Sequence, residues 1–143
     1  WRADLRPLRS RGRWSGREPF GALATAGGGS VPGPVAAVTR ARLRLATMRV
    51  FWRAVPPVSA DANARDGLLF AVGFGEAPVG VQGTFSVWAD QNRLDRFAYG
   101  GAAHRAAIHD THRRRWYSEE LFARFEVMAT TGTVRGRDPL APG

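Results

Sequence analysis

Stretches in which apolar residues alternate with polar ones, or run together, are separated along this chain by turns rich in glycine and proline. They predict strands over residues 35–45, 68–74, 81–88 and 120–130. Helical spacing predicts one helix that begins at Thr47 and another that is capped by Asp90, with Leu94 and Phe97 on one face. The order strand, helix, strand, strand, helix, strand is the ferredoxin-like βαββαβ arrangement. The fold class is therefore α+β, with the helices on one face of an antiparallel sheet.

A second helical segment is predicted after the Gly100-Gly101 pair, which interrupts the helix that starts at Asp90. Its apolar stripe contains Ala107 and Ile108. His104 precedes Ile108 by four residues, so it lies at the edge of that stripe. His109 and His112 fall on the polar face among arginines, where solvated positions are expected. Of the three histidines, only His104 is placed where a buried ligand could be bound.

The chain contains an internal similarity between residues 5–20 and residues 125–140, at a constant offset of 120 and without a gap. The identical pairs are Gly12/Gly132, Gly16/Gly136, Arg17/Arg137 and Pro19/Pro139. Chance similarity in an arginine- and glycine-rich chain is the alternative to a duplication. The predicted organisation is the tail of an upstream repeat over residues 1–23, with a strand and a GxxxGR[ED]P motif, then a Gly/Pro linker over residues 24–34 and an α+β barrel domain over residues 35–143.

Composition narrows the classes of function. The chain has 143 residues, a net charge of +9 and no cysteine, so disulfides, thiolate zinc sites and cysteine nucleophiles are excluded. Every basic residue other than histidine is arginine, and the arginines are not interleaved with exposed aromatic residues, so we do not expect a nucleic-acid-binding surface. No run has the length of a transmembrane segment, which predicts a cytoplasmic protein. No Ser-His-Asp arrangement, P-loop or zinc-ligand spacing is present.

Several longer strings resemble one known family, the spheroidene monooxygenase (acyclic carotenoid 2-ketolase) family. The similar strings are RVFWRAVP at residues 49–56, LFAVGFGEAP at 69–78, QGTFSVW at 82–88, WYSEELFARF at 116–125 and GRDPL at 136–140. The resemblance covers essentially residues 5–140, which match the second half of the family pattern and the tail of its first half. Most of that first half is absent, so the chain is either a fragment or rebuilds a barrel by pairing with another copy.

This resemblance implies a haem-dependent, iron-containing oxidoreductase of carotenoid biosynthesis, a monooxygenase that introduces a keto group into linear carotenoids. It implies an apolar, polyene-like substrate, an electron donor that the sequence does not identify, and a cytoplasmic location that can include contact with the membrane in which carotenoids reside. The alternative is a non-catalytic dimeric α+β barrel module that binds a small apolar ligand. In either case we expect a homodimer, because both faces of the predicted strands carry apolar residues.

The resemblance also suggests roles for individual residues. His104 is the candidate axial ligand of the haem iron, since similar haem-binding barrels use a histidine on the corresponding helix. Its alternative is a partly buried structural histidine. Arg53 and Arg115 are candidates for pairing with the haem propionates. The alternative is that both are solvated surface arginines.

The candidate substrate-binding residues are mainly aromatic. Phe85 and Trp88 are expected to line the cavity between the sheet and the helices, or to belong to the core. Trp116 and Tyr117 are expected to form a wall of the pocket, or only a corner between helix and strand. Gly101 has no Cβ, so it would let a flat or elongated ligand approach the backbone closely.

Overall fold

The structure is a computed structural model of the chain. It describes residues 1–21, 29, 31–44, 46, 49, 52–53, 55–56, 60, 64, 66–75, 80–100 and 117–141. The predicted boundaries at residues 23 and 34 stay predictions.

One antiparallel sheet contains all the strands that are described. The strands are β1 (Arg2–Gly12), β2 (Val35–Leu43), β3 (Leu68–Gly75), β4 (Val81–Trp88) and β5 (Tyr117–Thr131), and the helix α1 (Gln91–Gly100) lies between β4 and β5 in the chain. The strand order in the sheet is β1-β5-β2-β4-β3. Strands β5, β2, β4 and β3 therefore have the order of a ferredoxin-like repeat, and β1 adds a fifth strand at the edge beside β5.

This architecture confirms the predicted α+β, ferredoxin-like fold. The four strands predicted for the repeat are present, and the longest difference is at β5, which begins at Tyr117 rather than Glu120. The first predicted helix is represented by residues 49, 52–53, 55–56 and 60, which are helical.

Helix α1 begins where the sequence predicts it. Asp90 caps the helix, because its Oδ1 accepts a hydrogen bond of 2.8 Å from the backbone N–H of Arg93. This bond, supported by the Arg93 guanidinium, lowers the pKa of Asp90. The apolar face of the helix then packs on the sheet: Leu94 is buried, and the ring of Phe97 stacks on Trp88 with 5.0 Å between the centroids. Among the described residues, no helix is long and apolar enough to cross a membrane.

The two faces of the sheet carry separate apolar clusters. On the helix-covered face, Trp88 packs with Leu8, Val35 and Leu94. On the helix-free face, a larger group surrounds Ala36, Val87, Ala123 and Phe125, and its partly buried members are Trp1, Leu5, Phe20, Val38, Leu69, Phe70, Phe85, Val127 and Leu140. No helical residue among the described ones belongs to this second cluster, so in the described part of the chain the helix-free face is a nearly continuous apolar surface.

Candidate functional site

The helix-free face is built from strands whose register brings apolar residues into rows. Phe85 in β4 lies opposite Val38 of β2 on one side and opposite Val72 of β3 on the other. Directly paired residues in a sheet share a face, so these three side chains form one row across three strands. Phe70, two residues before Val72, places a second aromatic ring on the same face of β3.

Three aromatic rings meet on this face although they come from opposite edges of the sheet. The ring centroid of Trp1, which precedes β1, is 5.4 Å from that of Phe70 and 6.3 Å from that of Phe85, and the Phe70 and Phe85 centroids are also 6.3 Å apart. Because β1 and β3 are the two edge strands, such contacts require a strongly curved sheet with its concave side on the helix-free face. The curvature turns an apolar surface into a concavity.

An open cleft of about 450 Å³ lies at this concavity. Its lining residues are Trp1, Ala3, Leu5, Phe70, Val72, Phe85 and Val134, all of them apolar. The volume falls in the range of small-molecule sites, which are mainly lined by hydrophobic and aromatic side chains. The indole Nε1 of Trp1 is buried and lacks a hydrogen-bond partner among the described residues. The cleft therefore suits an apolar molecule, and the side chains of its described lining residues include no acid, base or nucleophile.

The structure separates two residues that were expected to line one cavity. Phe85 lines the cleft, whereas Trp88 is 1% exposed and packs under helix α1 on the other face. The reason is strand alternation, because residues three apart in a regular strand point to opposite faces. Trp88 is bonded through its Nε1 to Ser86 Oγ at 3.1 Å, on its own face of β4.

The other predicted site residues lie away from the cleft or outside the described residues. Tyr117 is the first residue of β5 and pairs with Leu43, and it does not line the cleft. Arg53 is exposed in the helical segment before β3 and does not line the cleft either. His104, Gly101, Arg115 and Trp116 lie outside the described residues.

Sequence reasoning missed most of the cleft. Phe70 and Val72 could have been found, because alternation in a strand that pairs with β4 places them on the same face as Phe85. Leu5 and Val134 lie in the two similar segments, but nothing in the alignment indicates that either faces a cavity. Trp1 had no local signal, since its contacts depend on the curvature of the whole sheet.

Haem binding requires a side chain that can coordinate iron, and the residues of the cleft can be checked for one. Iron in haem proteins is held by the side chain of histidine, cysteine, methionine or tyrosine, and none of these residue types is among the described residues that line the cleft. The described part of the chain also has no group of three or more His, Cys, Asp or Glu residues that could hold a metal ion. The described lining residues therefore fit an apolar ligand, and a ligand for haem iron would have to come from outside them.

A second feature is a polar network that holds the turn after β1 against the start of β5. The carboxylate of Glu119 accepts hydrogen bonds from the backbone N–H groups of Ser15 at 3.0 Å and Gly16 at 2.7 Å. It also pairs with the guanidinium of Arg40 at 2.6 Å, and Arg40 is 4% exposed. The Arg40 Cζ lies 4.8 Å from the ring centroid of Trp14, a cation–π contact that covers the guanidinium.

This network fixes the charge of Glu119. The pKa of Glu119 is lowered to about 2. The largest cause is the hydrogen bond from Arg40, followed by the bonds from the backbone N–H groups of Gly16 and Ser15. Each donor favours the ionised carboxylate, so the shift outweighs the opposing effect of desolvation. Glu119 is thus a permanently charged structural residue near neutral pH, and it lies at the far end of β5 from the cleft.

Comparison with curated proteins confirms the resemblance found in the sequence. The chain is 39% identical over 137 residues to the spheroidene monooxygenase of Rhodobacter capsulatus, a match that covers 96% of this chain and 56% of that protein. It is 36% identical to the spheroidene monooxygenase of Cereibacter sphaeroides over 95% of this chain and 41% of that protein, and 37% identical to the one of Rubrivivax gelatinosus over 92% and 49%. The chain thus spans about half the length of the curated relatives it matches. No protein-family model matches it.

Solved structures with the same fold are distant in sequence. A protein of Mycobacterium tuberculosis superimposes with a TM-score of 0.61 at 14% identity, over 69% of this chain and 99% of that one. A Fusobacterium nucleatum protein described as a candidate monooxygenase gives a TM-score of 0.61 at 10% identity, over 89% and 51%. SnoaB of Streptomyces nogalater, a cofactor-independent oxygenase, gives 0.53 at 17% identity, over 68% and 96%. At these identities the likeness concerns the fold.

Proposed function

We propose that this chain is a monooxygenase module of the spheroidene monooxygenase type, and that the cleft on the helix-free face binds a linear, apolar polyene. The observation that carries the proposal is the 36–39% identity to three spheroidene monooxygenases over nearly the whole chain. Because the chain spans about half of those proteins, their activity is proposed here and not transferred.

The chemistry of the cleft supports a substrate of this kind. A linear carotenoid offers almost only apolar surface, and a lining without charged groups does not have to be desolvated when such a molecule enters. The aromatic rings of Trp1, Phe70 and Phe85 supply flat surfaces against which a conjugated chain can lie. The open end of the cleft allows part of a long molecule to remain outside.

In a monooxygenase reaction one atom of O₂ is inserted into a C–H bond of the substrate, and the other leaves as water after two electrons and two protons have been supplied by a donor. A keto group at a CH₂ carbon takes two such insertions, after which the geminal diol loses water. The described residues contribute the apolar surface that positions the substrate. They provide no group that activates oxygen, since the described lining of the cleft has neither a metal-ligand set nor a general base.

The oxygen-activating group is proposed to be haem, which His104 would hold. This part rests on the resemblance and on the predicted position of His104 at the edge of an apolar helical stripe. Haem would supply the redox-active iron of the reaction. Arg53 and Arg115 remain the proposed partners of its propionates.

The test is a turnover assay on the purified protein with spheroidene in detergent, haemin, O₂ and a chemical reductant. The proposal expects a product whose mass has increased by oxygen, with the oxygen derived from ¹⁸O₂, and no product without O₂. Saturable binding of spheroidene without any turnover would instead support the non-catalytic module. A folded protein that neither binds nor converts spheroidene would refute the proposal.

The assembly is proposed to be a homodimer. The helix-free face exposes Val72 at 45% and Phe74 at 39%, and an apolar surface of this kind is stabilised when it is covered. A second sheet placed over it would close the cleft from the solvent and give the barrel that the fold class implies.

A further inference from the structure

Two turns of this chain have the same backbone form at positions 120 residues apart. In the first, Trp14 and Arg17 form a two-residue bridge through backbone bonds of 2.7 and 3.1 Å. In the second, Val134 and Arg137 form the same bridge through bonds of 2.8 and 3.1 Å. The first turn is defined here as residues 12–19 and the second as residues 132–139.

The agreement extends to the residues at the tip of each turn. Ser15 and Arg135 both have φ of 52°, and Gly16 and Gly136 have φ of 76° and 77°. A positive φ at a residue other than glycine is uncommon and costs energy, so its occurrence at equivalent positions is informative. It leaves two successive N–H groups exposed at the tip, a concave arrangement that binds anions.

The first turn is occupied by an anion, because its two N–H groups at Ser15 and Gly16 donate to the carboxylate of Glu119. At the second turn the equivalent N–H groups belong to Arg135 and Gly136. Among the described residues neither of them has a hydrogen-bond partner, and both residues are exposed. Within the described part of the chain, the same backbone site thus has a carboxylate partner at the first turn and none at the second.

The pairing of β1 with β5 shows where a carboxylate for the second turn would have to lie. Arg2 pairs with Thr131 and Gly12 with Leu121, so an exchange of the two strands with an offset of 120 residues leaves the ladder nearly unchanged. A Cβ on Gly12 would meet the Cα of Leu121 at 3.1 Å, and one on Gly132 would meet the Cα of Trp1 at 3.4 Å. Trp1 therefore lies beside Gly132 of the second turn in the same way as Leu121 lies beside Gly12 of the first turn. Since Glu119 precedes Leu121 by two residues, the equivalent position precedes Trp1 by two residues.

We propose that the second turn is a carboxylate-binding site, and that its occupant is a glutamate side chain two residues before Trp1 on a strand that continues β1. Such a strand would be present in a longer form of this chain that includes a preceding repeat. The contact would fasten the end of one repeat to the last strand of the other, as Glu119 fastens the first turn to β5.

The second site should bind its carboxylate less tightly than the first. Arg40 completes the first site, and Trp14 covers its guanidinium, whereas the residue equivalent to Trp14 in the second turn is Val134. The side chain of Arg135 adds a positive charge, but it is exposed and therefore screened by solvent.

The proposal can be tested by grafting. The four residues Tyr-Ser-Glu-Glu, which precede Leu121 in β5, are placed directly before Trp1, and the control carries Tyr-Ser-Gln-Glu. Amide hydrogen exchange by NMR is measured at Arg135 and Gly136. With two charge-assisted hydrogen bonds formed, we expect exchange to slow by about tenfold or more in the glutamate form relative to the glutamine form.

The first turn provides the internal reference, because Glu119→Gln should accelerate exchange at Ser15 and Gly16 in the same spectra. The pKa of the grafted glutamate, read from its side-chain carbon shifts, should lie below its usual value but above that of Glu119. Equal exchange in the glutamate and glutamine grafts would overturn the proposal. So would protection that disappears on dilution, since it would assign the carboxylate to a second copy.

Discussion

Replacement of Phe85 by alanine tests whether the ligand site lies on the helix-free face. Phe85 contacts the rings of Trp1 and Phe70, and each aromatic pair contributes about 0.5–1.5 kcal/mol beyond the area it buries. A fully buried Phe→Ala change costs about 3–5 kcal/mol, and Phe85 is only half-buried, so we expect a loss of about 2–3 kcal/mol. For a domain of this size the melting temperature would fall by roughly 6–12 °C.

The effect on ligand binding follows from the surface that is removed. A phenyl ring that faces the cleft presents roughly 50 Å² to a ligand, and at about 25 cal/mol per Å² this is about 1.3 kcal/mol, or about tenfold in Kd. Binding is measured by quenching of tryptophan fluorescence during titration with spheroidene in detergent, at a temperature at which each variant is folded.

Leu94→Ala is the matched control. Leu94 is 4% exposed beneath helix α1, so its truncation should lower stability by about 2–4 kcal/mol on the other face of the sheet and leave Kd unchanged. If Phe85→Ala binds the polyene as tightly as the original chain, or if Leu94→Ala weakens binding as much, the cleft on the helix-free face is not the ligand site.

Four further experiments address other parts of the molecule. Because its pKa is lowered from 4.5 to about 2, Glu119 stabilises the fold above about pH 4.5, and this stabilisation is lost as the pH falls towards 2. Melting curves should show that the Glu119→Gln variant is less stable than the original chain at pH 6. Its melting temperature should also change less than that of the original chain between pH 4.5 and pH 2. Added haemin should give a Soret band that is lost in the His104→Ala variant and kept in the His109→Ala variant. If both variants keep the band, His104 is not the ligand. A Cβ on Gly83 would lie 2.7 Å from the carbonyl oxygen of Thr39 and against Phe74, so Gly83→Ala should cost about 1–3 kcal/mol in chemical denaturation, and an unchanged midpoint would contradict the packing of β4 on β2. Sedimentation velocity should show a dimer at micromolar concentration that Val72→Glu converts to a monomer, whereas a stable monomer of the unmodified chain would refute the proposed assembly.

The fold was predictable because its signals are local. Alternation defines β2, a short apolar run defines β3, a turn before Val81 leads into β4, and the cap at Asp90 defines the start of α1, so the order of elements leads directly to the ferredoxin-like arrangement. The separation of Phe85 from Trp88 was also available from the sequence, since it requires only that a strand alternates. The contacts of Trp1 could not be predicted from the sequence, because they depend on the curvature of the sheet. The carboxylate site of Glu119 could not be predicted either, because it joins residues more than 100 positions apart.

The two functional features of the described structure depend on the same strand. At one end of β1, Trp1 and Leu5 complete the apolar cleft with residues of β3 and β4. Beyond its other end, the first turn is held by Glu119 and Arg40, which come from β5 and β2. Because β1 lies at the edge of the sheet, it pairs along one side only, and its position depends on β5 and on these end contacts. Weakening the Glu119 site should therefore loosen β1 and, through it, the Trp1 wall of the cleft. This coupling predicts that acid or Glu119→Gln lowers polyene affinity without any change in the residues that touch the ligand.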